Sequence, residues 1–154
     1  MITPSFIPWA AFVQLYAGLV SALPDQLSIR VGSADCTEGK VYQVQVARSD
    51  AEKRKGLGGV REALSSEQGM VFAFSPPAPQ SFWMKDTHIP LSIFFFDEKG
   101  MLISKAEMEV ESDPDNPVRF YQEPRFSSVA LEAASGSTAL HEVAQSYLCA
   151  SAVS

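Results

Sequence analysis

The chain carries no charged side chain before Asp25. An uncharged stretch of that length cannot form a solvated surface helix, which needs a polar face. From Ser5 to Ala22 only Ser5, Gln14 and Ser21 interrupt the apolar character, and the run ends in Val20-Ser21-Ala22, small residues at which a signal peptidase could cut. Also missing is a Lys or Arg ahead of the run, which an export signal ordinarily carries. Three readings of residues 1–22 stand: a cleaved signal peptide, a retained membrane anchor, or a buried amphipathic or wrongly started N-terminus. The first leads, so residues 23–154 are expected to form the single mature domain, exported and periplasmic or envelope-associated. Membrane association through residues 5–22 is the second expectation.

Histidine, cysteine and positive charge are also scarce. Two histidines, His88 and His141, stand far apart with no close ligand spacing, and no metal or other cofactor is expected. Lys and Arg number 12 against 18 Asp and Glu, for a net charge of -6, and the one basic cluster, "EKRK" at residues 52–55, is short and begins with an acid. Nucleic acid is therefore excluded as an expected partner. Cys36 and Cys149 lie near the two ends of the expected mature domain. An oxidising compartment would let them pair, and two separate buried thiols are an equal alternative. Neither has a histidine placed to make it a nucleophile.

What is present is a globular composition, 46% hydrophobic and 19% charged, in a chain of 154 residues with room for one substantial core. After Pro24 the pattern changes to period-two alternation. Leu27, Ile29 and Val31 share one face, as do Tyr42, Val44 and Val46, and the glycine-containing "GSADCTEGK" between the two runs reads as a turn. Ser49 to Glu52 has capping-box spacing and Gly56 follows where a helix should end, which predicts a short helix near residues 50–55. "GMVFAF" is a strand with Phe72 and Phe74 on one face, and "SPPAP" is expected to stop it. Phe82 to Lys85 and Ile89 to Phe96 follow as strands, with "DEKG" as a hairpin turn before "MLISKAEMEV". "ESDPDNPVR" reads as a polar surface loop and "SSVALEAAS" as a last strand. Leu140, Val143, Ala144, Tyr147 and Leu148 recur at helical spacing, which predicts a C-terminal helix.

The ordered set Gly56-Leu57, "GMVFAF" from Gly69, "SFWMKDTHIPLSIFFFDEKG" from Ser81, Tyr121 and "ALEAASG" ending at Gly136 resembles the DUF192 family, also called UPF0127, small bacterial and archaeal proteins of which many are exported. The resemblance runs from about Val41 to Gly136, and the Phe-Trp-Met-Lys run followed by Ile-Pro-Leu is its specific core. It implies a mostly β fold, a small jelly-roll-like sandwich or partly open β-barrel, with no established biochemical function. The chain departs from the family pattern at Gly58 (commonly Met), Asp86 (commonly Asn) and Ser92 (commonly Asp), and it has "HEVAQSYLCA" where the family has a Gly-Asp turn leading into a final strand. A carboxylate essential at the position of Ser92 would be missing here.

Six residues are the candidates for a ligand-binding cleft: Trp83, Lys85, Tyr121, Glu132, Asp86 and His88. Trp83 and Lys85 fall on one face of their expected strand, where the indole could stack on a flat ligand while the ammonium holds an anionic group; the alternative is that Trp83 fills the core. Glu132 lies in an apolar segment on the face of Ser128 and Ala130. A buried carboxylate there is costly unless paired, so it should seek Lys85, Arg119 or a backbone donor, and Lys85 is the neighbour expected. Asp86 and His88 could form a proton-transfer pair or a solvated turn. Catalytic residues are not assigned. The leading expectation is a small envelope-located binding or accessory module, its partner an unknown small molecule or an envelope protein. The alternatives are an enzyme using a carboxylate with Lys or His in the same cleft, and a non-catalytic structural subunit of a membrane-associated complex.

Overall fold

The computed structural model describes residues 5–152. Eight strands, β1 (Ile7–Pro8), β2 (Gln26–Gly32), β3 (Gly39–Ala47), β4 (Gln68–Phe82), β5 (Leu91–Phe96), β6 (Leu102–Met108), β7 (Tyr121–Ala134) and β8 (Tyr147–Ala152), make one mixed sheet in the order β1-β8-β2-β3-β4-β7-β5-β6. The sheet is not closed into a barrel; an isolated bridge between Met101 and Tyr147 links the turn before β6 to the start of β8. Among the described residues the α-helices are two short ones, α1 (Trp9–Gln14) and α2 (Asp50–Lys55).

The expected alternation sets β2 and β3, which pair antiparallel from Gln26↔Gln45 to Gly32↔Gly39 around the "GSADCTEGK" turn. β3 and β4 run parallel, and the long crossover such a pair needs carries α2. β5 is buried on both faces, so "LSIFFF" reads as a continuous apolar run rather than an alternating one. Two core clusters result, on opposite faces of the sheet. Val129, Leu131 and Ala133 of β7 join Leu27, Ile29, Tyr42 and Phe94 in the first, while Ala130 joins Phe72, Ile93 and Phe95 in the second. Phe74, read as core with Phe72, is partly buried and packs on the second cluster.

The prolines of "SPPAP" do not stop β4. The strand continues to Phe82 along β7, and its register shifts between Ala73 and Ala78 and again between Ala78 and Gln80. Irregular pairing of this kind accommodates residues that cannot donate to a ladder. The segment expected as a separate strand, Phe82 to Lys85, is therefore the end of β4 leading into a turn at Lys85-Asp86, where Asp86 takes φ 50°. The "ESDPDNPVR" loop is tied down by Glu111, buried, whose carboxylate accepts from the backbone N–H of Val118 and Arg119 and from Arg119 Nε at 3.1 Å.

The expected C-terminal helix is absent. A 3₁₀ turn at Ser137–Leu140 leads through an irregular stretch into β8, which pairs with β2 from Leu27↔Ala152 to Gly32↔Tyr147. Leu140 and Val143, on the expected apolar stripe, are 59% and 41% exposed, and Ala144 takes φ 67°, outside the helical region. An unpaired edge on β2 and the packing of Leu148 and Ala150 into the first cluster outweigh a helical spacing of modest intrinsic strength.

Cys36, in the β2–β3 turn, is bonded to Cys149 of β8, with Cα atoms 5.8 Å apart. The uncharged N-terminal segment packs on the same region. Ile7 and Pro8 pair with Ala150 and Cys149, and Trp9 and Phe12 of α1 are buried in the first cluster. Among the described residues no helix is long and apolar enough to cross a membrane.

Candidate functional site

α2 forms because Ser49 and Glu52 satisfy each other's backbone N–H groups in a full capping box, and it ends at Gly56 with φ 48° and ψ −128°. A side chain at Gly56 would be strained there, and its Cβ would lie 3.2 Å from Phe72 Cζ and 3.7 Å from Glu132 Oε1. Glycine thus lets the helix end settle over Phe72 and Glu132, with Leu57 entering the second core cluster.

Between the last turn of α2, the end of β4 and Glu132 of β7 lies a cavity of about 400 Å³. Phe72, Phe74 and Phe82 make its aromatic wall, with Phe72 and Phe82 edge to face at 5.0 Å. Trp83 and Lys85 stand at the mouth, the Lys85 ammonium 5.4 Å from the indole centroid, and Lys53, Arg54 and Lys55 come from α2 on the other side. Lys53 Nζ lies 5.0 Å over the Phe74 ring, and burial pushes its amine down, partly offset by Asp50.

Glu132 is 4% exposed and borders this cavity. Among the described residues no hydrogen-bond donor or cation reaches its carboxyl, and burial alone raises its pKa to about 8. At neutral pH the group is mostly the uncharged acid, able to donate one hydrogen bond and accept another. The expected partnership with Lys85 is not formed, although both residues border the cavity. Lys85 is exposed and lies over Trp83 instead, because the chain turns at Lys85-Asp86 rather than continuing as a strand beside β7.

The other candidates lie apart from the cavity. Asp86 lines an adjoining hollow with Arg54, Lys55, Trp83 and Lys85, and His88 Nε2 is 2.9 Å from Asp86 Oδ1 at the surface. Tyr121 is paired with Phe82 and packs on the second cluster. Ser92 is fully buried on the opposite face of the sheet, where it donates to Glu107 of the adjacent strand and accepts from Ser137 N at 3.0 Å. Its departure from the family pattern does not touch the cavity. Sequence reasoning missed Lys53, Arg54 and Lys55 as site residues; the signal available was the basic run placed immediately before Gly56-Leu57.

The profile of the DUF192 family, uncharacterized ACR, matches residues 33–147. That is more than half of the chain, and the protein belongs to this family. No curated protein matches it. Two crystal structures are similar. One is a protein of unknown function from Novosphingobium aromaticivorans DSM 12444, 26% identical, with a TM-score of 0.69 over 96% of this chain and 92% of that one. The other, from Sinorhizobium meliloti 1021 and provisionally described as a transcription regulator, is 21% identical, with a TM-score of 0.69 over 80% of this chain and 92% of that one, and it shares the fold.

Proposed function

We propose that the protein is a small binding or accessory module of the cell envelope whose ligand occupies the cavity between α2 and the β4–β7 strands. The observation that carries this reading is Glu132, a carboxyl buried without a partner at the edge of an open cavity of about 400 Å³, a volume within the range of small-molecule sites. Gly56-Leu57, the "GMVFAF" strand, "SFWMK" and "ALEAASG", the segments of the family resemblance, each contribute residues around it. An open cavity bordered by both Trp83 and Glu132 favours a ligand-binding role over that of a purely structural subunit. The Cys36–Cys149 bond supports an oxidising location. Trp9 and Phe12 in the core support a form that keeps residues 5–22. The Met101–Tyr147 bridge favours describing the sheet as a partly open barrel.

A thermal-shift screen of the full chain against sugars, nucleotides, amino acids and metals tests the reading, since a ligand that binds only the folded state raises the midpoint. A compound that stabilises the wild type and not Glu132→Ala supports the cavity as its site. Equal stabilisation of both places the ligand elsewhere and overturns it.

The second reading, an enzyme, rests on a carboxyl raised to about 8 and a lysine lowered by burial in one cavity. A carboxyl shifted this far can exchange a proton with a substrate near pH 7, with the lysine beside it.

A further inference from the structure

The chain has a net charge of -6, yet four cations, Lys53, Arg54, Lys55 and Lys85, border one cavity. Elsewhere the cationic side chains are largely engaged. Arg48 contacts Asp25, Arg119 contacts Glu111, Arg125 contacts Glu123, and Lys105 donates to the carbonyls of Thr138 and His141. Among the described residues none of the four cavity cations makes an ion pair or a side-chain hydrogen bond. The two carboxyls on the cavity do not neutralise them: Asp50 is a single acid at the start of α2, and Glu132, mostly uncharged at neutral pH, forms no ion pair with any of them.

A structural account covers part of this. Basic residues in the last turn of a helix complement its carbonyl end, which explains the placement of Lys53, Arg54 and Lys55 on α2. It does not explain Lys85, which reaches the same cavity from a different segment. Nor does it explain why Lys53 gives up hydration against Phe74, where Asp50 offsets the loss only in part and forms no ion pair with it.

We propose that the cavity binds a small organic anion with a flat ring: its carboxylate or phosphate lies between Lys53 and Lys85, its ring lies along Phe74, Phe82 and Trp83, and an uncharged polar group meets Glu132. This rests on the cavity being the ligand site. A carboxylate and a phosphate ester offer the same charge and hydrogen-bond acceptors to the lysines, and the aromatic wall suits a planar body. Glu132 as the neutral acid adds no repulsion to an incoming anion and can pair with a carbonyl or hydroxyl.

The test uses the full chain and four probes of similar size: benzoate, phenyl phosphate, benzyl alcohol and benzylamine. Binding is followed by NMR through the indole N–H of Trp83, assigned with Trp83→Phe. Benzoate or phenyl phosphate should bind about tenfold or more tightly than the neutral and cationic probes, the size of a charge-assisted contact. The more strongly bound of the two anions identifies the carboxylate or phosphate source. The Lys53→Gln/Lys85→Gln variant, with its folding checked by its unfolding transition, should lose that preference. Single-site Lys85→Gln, on an exposed residue, serves if the double variant does not fold. If benzyl alcohol or benzylamine binds as well as the anions, the ligand class is wrong while the cavity stands. If no probe moves the Trp83 signal at millimolar concentration, the cavity itself is not a ligand site and both readings fall.

Discussion

Tyr42 Oη and His141 Nε2 lie 2.9 Å apart, both buried, joining β3 to the stretch that follows the Ser137–Leu140 turn. Burial, with Lys105 and Lys40 nearby, lowers the His141 pKa to about 4 from its ordinary 6.5. A histidine held neutral binds fewer protons folded than unfolded. Its contribution is present in full above about pH 6.5 and is lost as the pH falls toward 4. Urea unfolding at stepped pH should show wild-type stability declining through that window, with a smaller decline in His141→Gln. Equal slopes would show that His141 takes up its proton in the folded state without cost.

Glu132 has the opposite sense. Its folded pKa of about 8 lies above its ordinary value of 4.5, so the folded state holds the extra proton between them and stability falls as the pH rises through that interval. Glu132→Gln removes the buried charge. It should be more stable than wild type at pH 8 by an amount on the order of a few kcal/mol, and the advantage should shrink toward pH 5. A constant difference across the range would mean that the carboxyl titrates as if exposed.

Lys85 and Glu132 share the cavity edge without an ion pair. In denaturant unfolding, Lys85→Met and Glu132→Leu should therefore act additively, with a coupling below about 0.5 kcal/mol at pH 7. A coupling above about 1 kcal/mol would show that the two side chains meet in solution.

The Cys36–Cys149 bond closes a loop of 113 residues and fastens β8 to the β2–β3 turn. Reduction, or Cys36→Ala with Cys149→Ala, should lower stability by about 2–5 kcal/mol, most of it through the unfolded chain. A thiol titration of denatured, unreduced protein checks the bond directly and should find no free thiol.

Phe12 is 2% exposed and packs between Trp9, on which it stacks, and the tilted ring of Tyr16, against the first core cluster. Phe12→Ala should cost about 3–5 kcal/mol, and deletion of residues 1–22 should cost at least as much. Intact mass of the protein purified from its native cell reports whether the segment is kept. A deletion variant with an unchanged unfolding midpoint would return the segment to the role of a removable leader.

Local chemistry determined several of these features in advance. The alternation of Leu27, Ile29 and Val31 and of Tyr42, Val44 and Val46 could satisfy only a strand with one apolar face toward the first cluster. Ser49 and Glu52 could close a capping box without help from the rest of the chain, and Gly100 could take its φ of 81° in the hairpin turn for want of a side chain. The motif pieces pointed to DUF192, and Trp83, Lys85 and Glu132, candidates for a cleft from their chemistry and the family resemblance, all border the cavity. Tertiary structure decided the rest. Whether "HEVAQSYLCA" became helix or strand depended on the free edge of β2, which no local pattern reveals. The prolines of β4 were tolerated because its pairing with β7 shifts register around them. Lys85 left Glu132 unpaired because the backbone turns at Asp86, while the basic run of α2 reached the same cavity only through the parallel crossover from β3 to β4. Each of those outcomes turns on contacts between segments distant in sequence, whose free energy exceeds the fraction of a kcal/mol per residue that separates local conformational preferences.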